Sequence, residues 1–165
     1  MTNENNMQEN AEQQTAFAIQ KIYLKDMSFE TPGGLEVFTK AWKPNIQQDL
    51  NIQVTQIEEN LHDVVLLLTI TARIDDKVIF LVEVKQGGLF TIVGLNGMQL
   101  THAINTFCPQ ILFPYARETI DSILTRGGFP PLMLAPINFD AVFAQAVANA
   151  QQEAAAAQEA PVTLN

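Results

Sequence analysis

A chain of 165 residues in which 47% are hydrophobic is long enough for one packed domain and too apolar to be disordered throughout. Nine Lys and Arg against eighteen Asp and Glu leave a net charge of −9, which repels phosphate backbones and anionic headgroups, so nucleic acid is not an expected partner. The longest apolar run, Val64 to Ile70 with Thr69 inside it, is too short to span a bilayer, and MTNENNMQENAEQQ lacks the basic and apolar regions of a signal peptide.

Residues 1–15 are mostly Asn, Gln and Glu and are expected to form a disordered tail. Phe17, Ile19, Tyr23, Met27 and Phe29 then share one parity, the period of a strand with one buried face, until Pro32, Gly33 and Gly34 end it. Ile46, Leu50, Ile52 and Val54 make a second alternating set. Asp63 to Ile74 is rich in β-branched residues, and a turn at Asp75, Asp76 and Lys77 leads into a fourth strand over Val78 to Gln86. Short connections require these four strands to pair antiparallel.

The second half carries helical spacing. Leu100, Ala103, Ile104 and Phe107 form one stretch, and Pro109 suits the opening turn of a further helix. Leu112, Phe113, Ala116, Ile120, Ile123 and Leu124 continue that helix to Gly127 and Gly128, with Pro130 and Pro131 beyond. Asn138 is placed to cap a last helix bearing Phe139, Val142 and Phe143. Past Val147 the chain is Ala- and Gln-rich with few large side chains, so residues 148–165 are expected to fray and residues 16–147 to form the domain. Strands followed by helices make an α+β fold, a four-stranded antiparallel sheet with a long helix on one face and a C-terminal helix.

Little in the chain points to catalysis. Cys108, the single cysteine, cannot form an intramolecular disulfide, and nothing calls for an oxidising compartment. His102 lies six residues earlier, but six helical residues turn about 240°, which puts the two on different faces. His62, His102 and Cys108 match no zinc spacing, so no metal or cofactor is expected. Gly87 and Gly88, and Gly94 with Gly97, match no phosphate loop and suit a turn or bulge better. A small thiol enzyme using Cys108 and a carrier of small apolar ligands stay open as alternatives. Trp42, Phe143 and the strand acids Asp26, Glu30 and Glu83 are the other informative side chains; alone they read as core and solvated face.

KIYLKDMSFETP at Lys21 to Pro32, EVKQGGLF at Glu83 to Phe90, and the run NTFCPQILFPYARETIDSILTRGGFPPLMLAPINFDAVF at Asn105 to Phe143 resemble the SecB protein-export chaperone family. The resemblance covers nearly all of Phe17 to Phe143. It implies a cytoplasmic, cofactor-free, non-enzymatic chaperone assembled as a dimer of dimers. Such a tetramer would bind unfolded precursor proteins and pass them to the SecA motor. Carried over by motif, Tyr23, Trp42 and Phe143 would be groove aromatics, with Ile46 and Leu50 as aliphatic lining. Gln48 departs from the apolar residue expected between those two. Asp26, Glu30, Leu81 and Glu83 would meet the zinc-binding tail of SecA, and Val82 and Val84 would serve the oligomer interface.

Overall fold

The computed structural model describes residues 14–159, so the expected amino-terminal tail, apart from its last two residues, lies outside the described residues, as do residues 160–165. Four strands, β1 (Ala16–Glu30), β2 (Asn45–Glu58), β3 (Leu61–Ile74) and β4 (Lys77–Val93), form one antiparallel sheet in the order β1-β4-β3-β2. Two helices follow, α1 (Gly97–Arg126) and α2 (Phe139–Glu159). A short 3-10 helix, Leu35–Phe38, lies between β1 and β2 and had no periodic signal in the sequence. The expected turn after β3 is present, with Asp75 at φ 51° and Asp76 at φ 62°. Aspartate tolerates that left-handed backbone, and two such residues match the twist of a tight hairpin.

Helix α1 lies across β3 and β4. Val64, Leu66, Leu68 and Ile70 of β3 and Phe80, Val82, Val84 and Phe90 of β4 alternate onto the helix-facing side, where they meet Ile104, Cys108, Leu112, Ala116, Ile120 and Leu124. Their burial is the main stabilising term; truncating Leu112 to alanine should cost about 2–5 kcal/mol.

Three local readings need correction. Instead of a new helix opening at Pro109, α1 runs unbroken through both Pro109 and Pro114. An interior proline loses a backbone hydrogen bond, a cost of about 3 kcal/mol or more, but Pro109 is itself fully buried, and its packing offsets part of that loss. Gly87 and Gly88 are neither turn nor bulge. They sit inside β4, paired with Tyr23 and Ile22 on one side and with Val65 and Val64 on the other. A Cβ on Gly87 would lie 2.3 Å from the Tyr23 ring, and one on Gly88 2.9 Å from Leu112, so close approach rather than chain reversal requires glycine there.

Strand β1 does not alternate evenly along its length. Its pairing with β4 slips at Gln20 and again at Lys25, each an extra residue in β1. A bulge inverts the parity of everything beyond it. Phe17, Ile19, Ile22, Leu24, Met27 and Phe29 therefore share the helix-facing side, whereas Tyr23, opposite Gly87, joins Asp26, Ser28 and Glu30 on the other side.

Candidate functional site

Along the edge strand β2, pairing with β3 places Ile46, Gln48, Leu50 and Ile52 on the helix-facing side. Helix α2 stands beside them. Its start is fixed by Asn138, whose side-chain oxygen accepts a hydrogen bond from the Ala141 amide at 3.0 Å, and by Phe139, buried with its ring edge-on to Phe113 at 6.3 Å. From that footing α2 carries Val142, Phe143 and Ala146 over β2, and these three enclose a cavity of about 290 Å³ with Leu50, Asn51, Ile52 and Asn105. Leu50, Ile52 and Phe143 are each only half-buried, so the apolar walls stay open to solvent. Farther on, every side chain from Asn149 to Ala157 is exposed although the helix continues to Glu159, past Val147.

Of the five groove residues expected from the sequence, Leu50 and Phe143 meet in this cleft, and Ile46 lies on the same face of β2 beyond exposed Gln48. Gln48 thus puts a polar gap in the apolar row. Trp42 is elsewhere in the same layer, stacked on Phe80 with ring centroids 6.3 Å apart and 5.6 Å from Phe129, in an aromatic cluster that includes Phe29 and Phe38. Tyr23 is on the opposite side of the sheet. Its hydroxyl donates to Asp63 at 2.7 Å, and burial, reinforced by that carboxylate, pushes its pKa up to about 12. Ile52, Asn105, Val142 and Ala146 complete the cleft and were not singled out as site residues from the sequence. Ile52 shares the parity of Ile46 and Leu50, and Val142 neighbours Phe143, so both carried a signal; Asn105 and Ala146 did not.

A larger cleft of about 610 Å³ at the end of the sheet is lined by Lys40, Lys43, Arg73, Asp75 and Asp76 together with Ala41, Asn45 and Ile74. Its walls are mostly charged and exposed, whereas a site for apolar ligands needs apolar walls with few polar groups, so the smaller cleft is the better candidate.

On the uncovered side of the sheet, Asp26, Glu30, Leu81 and Glu83 lie on the adjacent strands β1 and β4. Glu30 is directly opposite Leu81, and Glu83 opposite Ser28. Lys85 enters the same patch, 3.9 Å from Asp26 and 3.8 Å from Glu83, and Thr69 donates to Glu83 at 3.4 Å. Its parity with Glu83 was the available clue. Val82 and Val84 are fully buried beneath α1, so their influence on any assembly would pass through the helix they support.

Cys108 is also fully buried, and desolvation pushes its thiol up to about 12, far from a nucleophilic thiolate. Among the described residues no group of three or more His, Cys, Asp or Glu side chains is placed to hold a metal ion, and no helix is long and apolar enough to cross a membrane.

Comparison with known proteins identifies the family. A family model described as preprotein translocase subunit SecB matches residues 10–150. A protein-export protein SecB from Cellvibrio japonicus is 65% identical, with both chains fully covered. Another from Hahella chejuensis is 53% identical over 93% of this chain and 99% of its own. Among solved structures, a SecB-like chaperone from Mycobacterium tuberculosis, in complex with a peptide from an antitoxin, superposes with a TM-score of 0.59 at 19% identity, over 73% of this chain and 87% of that one. That likeness supports the fold, and the sequence relationships establish descent: the chain belongs to the SecB family.

Proposed function

We propose that this protein is a holding chaperone of the cytoplasm that binds unfolded precursor proteins in the cleft between β2 and α2, keeps them fit for export and hands them to the SecA motor. The observation that carries the reading is the cleft itself: apolar, half-open walls beside a strand with a neighbour on one side only. The free edge of β2 offers backbone donors and acceptors that any extended chain can pair with, and apolar walls tolerate many side chains. Such a site binds without reading a sequence, and no bond is made or broken. The chaperone domain is residues 16–147.

Individual contacts of this kind are weak, which gives assembly a purpose. Phe17, Ile19, Leu24 and Met27 stand exposed on β1, and Phe107 and Tyr115 are about half-exposed on α1, a large apolar area for one small chain. A second copy over these surfaces, and a pairing of such dimers, would make the homotetramer. Several clefts on one particle raise the avidity for a long flexible chain by about 10²–10⁴. The patch of Asp26, Glu30, Leu81 and Glu83 faces away from α1 and the cleft, where a basic, zinc-holding tail of SecA could dock without displacing the client.

The test is the refolding of a reduced, unfolded precursor. The protein should slow it in proportion to the clefts supplied and leave the folded form alone. Unchanged refolding at excess protein contradicts the reading, and displacement of the precursor by fatty acids or dyes would support a small-ligand carrier instead.

A further inference from the structure

Helix α2 decides the shape of the cleft, yet after Phe139 little holds it. Val142 is 37% exposed, and no side chain beyond Ala148 up to Ala157 is even half-buried. Among the described residues one polar link joins α2 to α1: His102 Nε2 lies 2.8 Å from Asp140 Oδ1. The same imidazole stands edge-on to Phe143, ring centroids 5.4 Å apart and planes at 81°. Asp140 and Phe143 are three residues apart and so project from one side of α2, as His102 and the cleft residue Asn105 do from α1.

We propose that His102 is a positioning residue for the cleft. By holding Asp140 and Phe143 at once, it fixes the rotation of α2 about its Phe139 footing and so sets the gap between Phe143 and the Leu50–Ile52 wall. The proposal rests on the cleft being the client site. Two features set this role apart from general support of the fold. The pair is well exposed, His102 by 51% and Asp140 by 71%, so its loss should scarcely change overall stability. The ring touches a cleft wall directly, so its loss should change the cleft.

The experiment compares wild type with His102→Ala, His102→Gln and the exchanged pair His102→Asp with Asp140→His, in the full chain. Amide hydrogen exchange at Phe143 to Val147 without client reports how firmly α2 is held, and titration with a permanently unfolded, reduced precursor reports the cleft. His102→Ala should speed exchange at those amides and weaken precursor binding, each by about fivefold, with an unchanged melting temperature. His102→Gln, which keeps a donor for Asp140, should recover part of both, and the exchanged pair should recover the exchange protection. Wild-type exchange and affinity in His102→Ala would overturn the proposal, as would a loss of protection spread evenly over the whole chain. If wild type fails to bind the precursor while His102→Ala still loosens α2, the functional reading fails and the positioning role stands.

Discussion

The two flanks of the sheet carry similar apolar rows on the same side and cover them differently. On β1, Phe17, Ile19, Leu24 and Met27 are exposed by 37–48%, and α1 reaches the row at one end, where Phe107 stands edge-on to Phe17 at 5.0 Å. On β2, Ile46, Leu50 and Ile52 are half-buried, with α2 standing over part of the row. A row left largely open by its own chain calls for a fixed partner of matching shape, which a second copy supplies every time. A row under a lightly held helix can admit partners of varying shape. In the function proposed above, the same physical material would serve assembly on one flank and client capture on the other.

Charging the β1 flank should produce the largest change. Ile19→Lys with Met27→Lys should split a particle of about four times 18.3 kDa by light scattering into smaller species, and client affinity should fall by about 10²–10⁴ as linked clefts are lost. A tetramer that survives would show that the β1 row is not its interface. On the β2 flank, Phe143→Ala removes an aromatic contact worth about 1 kcal/mol, so affinity should fall roughly fivefold with the assembly intact. Unchanged affinity in isothermal titration would leave the ring as core.

Smaller effects on the client sharpen the contrast from outside both rows. Asp26→Lys with Glu83→Lys should abolish binding of the SecA tail and leave client affinity within about twofold. Tail binding by wild type should weaken with salt, while client binding should change little. Normal tail binding by the reversed variant at low salt would make these acids a solvated surface. Cys108, on the sheet-facing side of α1 between the flanks, should have the least effect. Its folded pKa of about 12 lies above the ordinary thiol value, so the stability it contributes is complete below about pH 9 and is lost as pH rises toward 12. Alkylation at pH 8 should therefore be slow in the native protein and fast after urea unfolding; fast native labelling would reopen a thiol role.

The fold was legible wherever local chemistry decides it. Alternation marked β2, β-branched content marked β3, Asp75 and Asp76 marked the hairpin, and Asn138 marked the start of α2, where it does cap the helix. What escaped was decided by neighbours distant in sequence. No local cue says that Gln20 and Lys25 bulge, and without that Tyr23 is assigned to the wrong side of the sheet. Pro109 signals a helix start until its burial against the sheet is known. Gly87 and Gly88 look like a turn until the Tyr23 ring and Leu112 are in place. The cleft was half legible for the same reason: motif and parity pointed to Leu50 and Phe143, but the approach of α1 and α2 brings Asn105 and Ala146 to them.

The division of labour between the flanks can be tested with a photo-activated cross-linker placed at Ile52 in one variant and at Ile19 in another. Each is irradiated with a permanently unfolded precursor at saturating concentration. The account predicts that the Ile52 probe captures the precursor and the Ile19 probe captures a second copy of this chain. Capture of the precursor at Ile19 and not at Ile52 would contradict it.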